Sequence, residues 1–382
     1  MAEQEIEIDE QARSAPKFHM DRSAYGAALQ TWFERQRPGA SDVRVSNIDI
    51  PVSTGFSNET VFFEVDWQDG GAHHERFVAR IEPEGGALFP EQTGECGIAV
   101  GVQHRVMQAV SEASDVPVPP LLGYEPSADV LGKPFFVMDF VPGVIPADTP
   151  RYSQGGFLVD EASPAQRTAM VRNGLTAMAG IHAIDWTDGR FDWLDASGDR
   201  KPTTAVQIDV YQRFTDELLA GREHPVLYQS YEWLRQNDPH DERIGLSWGD
   251  SRLGNIIWQD YEVAAVVDWE ACALSPTEAD LGWWLMFDRM SFDEMAAPRM
   301  EGFPTREEMI DIYQEASGRE VREPHYWEVF GTMRFCAIFI RLGDRMTGTG
   351  LVPKDLNMAV ANAVTQSLAT LLDIDNPTPA AF

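Results

Sequence analysis

Lysine is nearly missing from the first third of this 382-residue chain, where none stands between Lys17 and Lys133. Any chemistry there that needs a cation must use arginine, a planar fork of donors rather than a compact ammonium. Cysteine is scarce as well. Cys96, Cys272 and Cys336 lie far apart without paired spacing, which excludes a disulfide framework or a zinc site and reads as buried reduced thiols. No apolar run approaches the length needed to cross a bilayer. The first ten residues are acidic where a secretory signal would be basic and then apolar, so a soluble, cytoplasmic protein is expected. Positive charge is in deficit, with 30 Lys and Arg against 61 Asp and Glu for a formal charge of −31. That balance argues against nucleic acid and against anionic membrane surfaces as partners.

The hydrophobic content of 43% and aromatic content of 10% are those of an ordinary globular protein. The length exceeds the usual single core, so two lobes sharing a cleft are expected. Residues 1–20 read as a disordered acidic tail. Residues 21–140 read as a first lobe, opened by an amphipathic helix over 21–36 with Tyr25, Leu29, Trp32 and Phe33 on one face. Strand-like runs follow at 43–50, 60–67 and 76–81, the last two separated by the hairpin signal Gln68-Asp-Gly-Gly71. A helix is expected within 91–110, then proline-stiffened strands at 116–124 and 134–143, the second ending in a Pro142-Gly143 break. Residues 141–382 read as a larger helical lobe. One helix opens with Ser163-Pro-Ala-Gln, an N-cap with proline at the first position and Gln166 at the capping-box position. Others are expected over 205–220, 225–236, 277–287 with Thr277 as N-cap, 305–317, 324–341 and 353–372.

The chemistry concentrates in Leu246-Ser-Trp-Gly-Asp-Ser-Arg-Leu-Gly-Asn-Ile-Ile-Trp258 and the following Val263-Ala-Ala-Val-Val-Asp-Trp-Glu270. Asp250 and Asn255 stand in a Gly-Asp-x-x-x-x-Asn loop. A β-branched run then delivers Asp268 at its end. Residues 256–258 and 263–267 read as a hairpin with a turn over 259–262, which would bring Asn255 and Asp268 together. The set suits phosphoryl transfer: one carboxylate accepts a hydroxyl proton, while an amide oxygen and a second carboxylate hold Mg²⁺. A lone Gly-Asp turn usually satisfies only its own backbone; the compound pattern is stricter. Ser53, Thr54, Gly55, Phe56, Ser57 and Asn58 form a small-residue turn able to aim N–H groups at phosphates.

These motifs resemble the aminoglycoside phosphotransferase and choline kinase-like family, with its His-Gly-Asp-x-x-x-x-Asn loop followed by Asp-Trp-Glu and Asp-Leu. Trp248 stands where that family has His. The resemblance implies an α+β, two-lobed protein kinase-like fold, with a small antiparallel-sheet lobe and a larger mainly helical one. It implies ATP and Mg²⁺ as cofactors and a small-molecule hydroxyl as acceptor. Asp250 would be the catalytic base, Arg252 would touch the transferred phosphoryl group, and Asn255 and Asp268 would hold the metal. The 53–58 turn and Arg80, at the place of the third-strand lysine, would grip the triphosphate, with Asp139 and Val141 main chain on the adenine and Met138 behind it. Gln103 falls where the family's ion-pairing Glu stands, and Glu95 is the other candidate. His182 reads as a brace for the catalytic loop and Asp280 as structural in a helix first turn.

Trp283, Trp284, Phe287, Trp327, Phe330, Met333, Phe335 and Phe339 read mostly as core, with some expected on the acceptor wall. That wall suits a lipid-like, aromatic or acyl alcohol. The acceptors considered are an aminoglycoside, a choline-like amine, or a hydroxyacyl thioester as in kinase domains fused to acyl-CoA dehydrogenases. Two other classes compete: a nucleotide-binding pseudokinase, and a hydrolase with Asp250 as nucleophile. Nothing in the sequence specifies an oligomeric state.

Overall fold

The computed structural model describes residues 22–50, 58–83, 85–95, 97–198, 201–240 and 243–378. The expected tail, Cys96 and the part of the phosphate turn formed by Ser53, Thr54, Gly55, Phe56 and Ser57 lie outside the described residues.

Alternation of apolar and polar residues builds the first lobe. After helix α1 (Arg22–Gln36) come β1 (Ser41–Asp49), β2 (Glu59–Gln68) and β3 (Ala72–Ile81), then α2 (Ala99–Ala113), β4 (Leu121–Glu125) and β5 (Phe135–Asp139). The five strands form one antiparallel sheet in the order β1-β2-β3-β5-β4. The β2–β3 hairpin turns at Gly70, whose φ of +66° suits glycine. Odd-numbered residues Val61, Phe63, Val65, Phe77, Ala79, Ile81, Phe135 and Val137 share a core with Tyr25, Leu29, Trp32 and Phe33 of α1. Those four α1 side chains are fully buried, worth roughly 1.5–3 kcal/mol each. The other sheet face offers Val78, Phe136 and Met138 to Val100, Val106, Met107 and Val110 of α2, in a core continuous with Met170, Leu175, Leu246 and Trp258 of the second lobe.

The second lobe contains α3 (Phe157–Asp160), α4 (Pro164–His182), α5 (Thr204–Leu219) and α6 (Pro225–Gln236). Two short hairpin-like pairs follow, β6 (Ile244–Ser247) with β9 (Ala273–Pro276), and β7 (Ile256–Gln259) with β8 (Glu262–Val266). Helices α7 (Glu278–Ser291), α8 (Arg306–Ser317), α9 (Pro324–Gly348) and α10 (Ala363–Leu372) complete it. The capping box at Ser163 forms as expected, and a second closes around Thr305 and Glu308.

Several expected boundaries move. Helix α2 begins at Ala99, where both Glu82 carboxylate oxygens accept from the free N–H groups of Ala99 and Val100. The β7–β8 turn is tighter than 259–262: Gln259 pairs with Glu262, and Asp260 and Tyr261 both take positive φ, the two-residue turn favoured by strand twist. Helix α10 starts at Ala363, capped by Asn362, rather than at 353. Thr277 makes no side-chain cap on α7.

Candidate active site

Asp280 organises the catalytic loop from the first turn of α7. Its Oδ1 accepts from Ser247 Oγ at 2.8 Å and Gly249 N–H at 2.9 Å; its Oδ2 accepts from Trp248 N–H at 2.7 Å and lies 2.9 Å from His182 Nε2. His182 Nδ1 lies 2.7 Å from the Tyr313 hydroxyl, so the imidazole is braced from both sides. Burial alone would raise the Asp280 carboxyl, but the His182 hydrogen bond and charge, then Arg334 and Ser247, hold it below the usual carboxylate range. Gly249 turns the chain with φ +90°, and a Cβ there would lie 2.0 Å from Ala271 O. Only glycine fits. Trp248 is fully buried and its Nε1–H donates to Val267 O at 3.0 Å. The indole therefore ties the loop to the residue before Asp268, filling the place the family gives to His.

Asp250 follows, 8% exposed. Its Oδ1 accepts from Trp283 Nε1–H at 2.8 Å and its Oδ2 from Asn255 Nδ2–H at 2.7 Å. Burial is the largest influence on this carboxyl and raises it; Arg252 opposes and the Asp268 charge adds, leaving it above the ordinary range. Arg252 Nε stands 3.3 Å from Asp250 Oδ1, while Nη1 reaches both oxygens of the exposed Asp148 at 2.7 and 2.9 Å. Arg252 thus has a carboxylate on each side, one of them the expected base.

Asn255 and Asp268 flank the open end of the β7–β8 hairpin, Asn255 just before β7 and Asp268 two residues after β8. Val267 N–H donates to Asn255 O at 3.0 Å, and Asp268 takes a left-handed φ of +61°. Asn255 donates through Nδ2 to Asp250, so its carbonyl oxygen is the atom that can serve a cation. Among the described residues no three His, Cys, Asp or Glu converge as a metal-holding cluster. An oxygen pair such as Asn255 with Asp268 suits Mg²⁺, which keeps several waters and substrate phosphates among its ligands.

Arg80 brings the first lobe to this pair. Its Nη1 donates to Thr60 Oγ1 at 3.1 Å and its Nη2 to Asp268 Oδ1 at 3.4 Å, across 188 positions of sequence. Asn58, the described end of the phosphate turn, donates to Glu270 Oε2 at 3.1 Å. Gln103 is buried on α2, whereas Glu95 is exposed and pairs with Arg105 at 3.2 Å. Glu95 therefore does not take the family's ion-pairing role. In the linker between lobes, Met138 is buried and Asp139 N–H donates to Pro120 O at 2.8 Å. A purine seated there would meet the Asp139 carbonyl rather than its N–H, with Val141 two residues on. Burial, then the Glu75 charge, raises the Asp139 carboxyl.

The inter-lobe linker at Val144 and the α2–β4 connection at Pro117 both dock on the β7–β8 hairpin. Val144 and Trp258 exchange N–H to O bonds of 2.8 and 2.9 Å, and Val266 N–H donates to Pro117 O at 2.8 Å. The strands that carry Asn255 and Asp268 are thereby registered against the sheet that carries Arg80.

Three features of the site escaped the sequence. Trp283, read there among the core aromatics, bonds Asp250 directly. Arg334, buried on α9, donates to Gly249 O and to Tyr211 OH at 2.9 Å each, with its guanidinium 4.7 Å from the Trp283 ring centre; a single arginine in an aromatic helix carries no local signal. The connection between β3 and α2 is the third. It crosses to the second lobe as a strap, held by Arg345 Nη2 on Gly86 O at 2.6 Å, Arg341 on Ala87 O, and Gln207 Nε2 on Gln92 Oε1 at 3.0 Å. Its Phe89 ring lies 6.3 Å from Trp283. Beyond Trp283, the half-exposed rings of Phe287, Phe335 and Phe339 follow one another at 5.4 and 5.8 Å, with Arg252 over Phe287.

Comparison with known proteins gives the family and the fold. Acyl-CoA dehydrogenase family member 11 of Gallus gallus is 29% identical over 304 residues, covering 77% of this chain and 35% of that protein. The Arabidopsis thaliana protein named "probable acyl-CoA dehydrogenase" is 27% identical over 333 residues, covering 79% and 38%. The chain thus spans little more than a third of these curated relatives. Among solved structures, a Ralstonia eutropha protein assigned to the aminoglycoside phosphotransferases superposes with TM-score 0.63 at 21% identity, covering 90% of this chain and 95% of that one. Plasmodium vivax ethanolamine kinase gives 0.53 at 13%, covering 85% and 82%. The fold is therefore the two-lobed kinase-like one. The model of the phosphotransferase enzyme family matches residues 50–323, and the chain belongs to that family.

Proposed function

We propose that this chain is an ATP- and Mg²⁺-dependent kinase that phosphorylates a hydroxyl of a small molecule bearing an apolar chain. One observation carries the reading: Asn255 bonds Asp250 through its side chain at 2.7 Å and Val267, beside Asp268, through its backbone at 3.0 Å, while Arg80 of the opposite lobe reaches Asp268 at 3.4 Å. Asp250 would take the proton of the acceptor hydroxyl. Its two oxygens are oriented by Trp283 and Asn255, and Arg252 stabilises the ionised form. Asn255, through its carbonyl oxygen, and Asp268 would hold Mg²⁺, which when bound neutralises charge on the phosphates. Arg80 and the turn ending at Asn58 would bind the triphosphate, with Met138, Asp139 and Val141 on the base.

Supporting an apolar acceptor, the half-exposed rings beginning at Phe287 lie one residue's contact from Asp250 through Trp283 and Arg252. The relatives named acyl-CoA dehydrogenases favour a hydroxyacyl thioester within that class. Measuring ATP consumption with Mg²⁺ against hydroxyacyl thioesters, choline-like amines and aminoglycosides tests this. The expectation is turnover on the first group that falls about 10²–10⁴-fold in Asp250→Asn, the usual contribution of a general base. Equal turnover by wild type and Asp250→Asn would end the proposal. The competing pseudokinase reading draws on the neutral Gln103 at an ion-pairing position; nucleotide binding with no turnover on any acceptor would favour it. A phosphorylated or acylated Asp250 would favour the hydrolase.

A further inference from the structure

Arg252 touches two carboxylates and grips them unequally. Its Nη1 reaches both oxygens of Asp148 at 2.7 and 2.9 Å, the length of charge-assisted bonds. Its Nε stands off Asp250, 3.3 Å from Oδ1 and 3.5 Å from Oδ2. The guanidinium is confined on its other sides: it lies over the Phe287 ring, 5.3 Å from the centre, and a Cβ on Gly254 would come within 2.6 Å of Nη1. Asp148 is fixed as well. Its segment is laddered to Trp258 through Val144, and Asp148 itself closes a backbone bridge with Arg151. Asp148, Arg252, Phe287 and Asp288 line one narrow cavity, and Asp250 is not among its walls. Arg252 is therefore the residue shared by that cavity and Asp250.

An ionised carboxylate offers about four lone-pair positions. At Asp250, Trp283 and Asn255 take two of them, and an incoming hydroxyl needs another at about 2.6–3.2 Å. A guanidinium released from Asp148 would have Asp250 as its remaining carboxylate, because Asp288 is held by Arg299 at 3.0 and 2.7 Å and Asp268 is met by Arg80 at 3.4 Å. Its planar fork fits both oxygens of one carboxylate, so it would occupy the positions the hydroxyl needs. As a tether the pair contributes little, since the Asp148 side chain is 65% exposed. We propose that Asp148 is a positioning residue that acts through Arg252: by holding the guanidinium through Nη1 it keeps Arg252 off Asp250 and leaves a carboxylate lone pair open to the acceptor hydroxyl. This rests on the reading of Asp250 as base and deepens it.

The test joins kinetics to crystallography on the full chain: wild type, Asp148→Asn, Asp148→Glu, Arg252→Met and the double variant Asp148→Asn with Arg252→Met. Thermal melts check that each folds. Turnover is measured with ATP, Mg²⁺ and the member of the acceptor panel above that wild type phosphorylates. In Asp148→Asn, kcat should fall about 10-fold with KM for ATP within about twofold, the pattern of an interaction lost in the transition state. Asp148→Glu should restore kcat to within about threefold of wild type, and the double variant should match Arg252→Met within about twofold. In the crystal structure of Asp148→Asn, Arg252 Nε should close on Asp250 to about 2.7–2.9 Å. Unchanged kcat in Asp148→Asn would overturn the proposal, as would an equal further loss when Arg252 is already Met. So would an Arg252 that swings away from Asp250 in the Asp148→Asn crystal. The contact length is read without catalysis: no turnover by wild type on any acceptor would sink the kinase reading, whereas turnover that falls in Asp250→Asn but not in Asp148→Asn would sink this inference alone.

Discussion

Asp250 is held by three donors that come from different parts of the chain: Trp283 on α7, Asn255 in the same loop, and Arg252 beside it. Burial raises its carboxyl, and the proposed role as base needs it ionised. Activity should therefore fall as pH drops through a midpoint above the ordinary carboxylate range. Because Arg252 opposes that rise, the pH–kcat/KM profile of Arg252→Met should show its acid limb shifted upward; an unmoved limb would detach Arg252 from the base. Asp280 runs the other way. Its lowered carboxyl stabilises the fold above the unfolded value of about 3.9, and that contribution is lost as pH falls through the lower folded value. At Trp248, replacement by Phe removes the only donor this side chain offers and leaves the partly buried Val267 O without it. The expected loss is about 1–3 kcal/mol, read as a lowered Tm with the fold retained. Local motifs made Asp250, Asn255 and Asp268 legible; Trp283 and Arg334 were not, because their roles depend on which helix face meets the loop.

Helices α7 and α9 cross closely because glycines face the contact: a Cβ on Gly282 would lie 2.0 Å from Trp327 O, and Gly331 packs against Gly282 and Trp283. That approach seats the Trp283 indole on Asp250 and the Arg334 guanidinium on the Trp283 ring. The strap between β3 and α2 is fastened to the same helix α9 through Arg341 and Arg345. Removing one fastening should loosen the strap without unfolding the core. In Arg341→Ala, amide exchange over 87–92 should accelerate about 10-fold or more, as expected for losing a charge-assisted bond of roughly 1.5–3 kcal/mol; unchanged protection would mean that Phe89 and Gln92 alone hold it. The capping box at Ser163 was readable because it is local. The start of α2 was not, since its cap is Glu82 from the end of the preceding strand.

Over the whole molecule the charge of −31 is spread on a surface that carries exposed ion pairs such as Arg222 with Asp344 at 2.7 Å and Arg172 with Glu315 at 2.7 Å. Exposed pairs contribute little, so the acidic surplus acts mainly as self-repulsion in the compact state. Screening should relieve it. Raising KCl from about 0.05 to 1 M, which shortens the Debye length to about 3 Å, is expected to raise Tm by about 5–10 °C. A Tm that stays level or falls would show that the acidic groups are compensated locally. The two-lobed plan followed from length and composition, since a chain this long does not fold around one core. The continuity of core from α2 and the sheet into the second lobe did not follow from them.

Residue type and spacing alone determined the strands of the sheet and the hairpin that brings Asn255 near Asp268, because these depend on short-range periodicity and turn chemistry. Only the tertiary structure decided that the Trp248 indole bonds Val267, that Asp280 gathers the loop, and that Arg80 pairs with Asp268 rather than with a helix carboxylate. Each is a contact between residues many positions apart, and such contacts exist only once burial has set which faces meet.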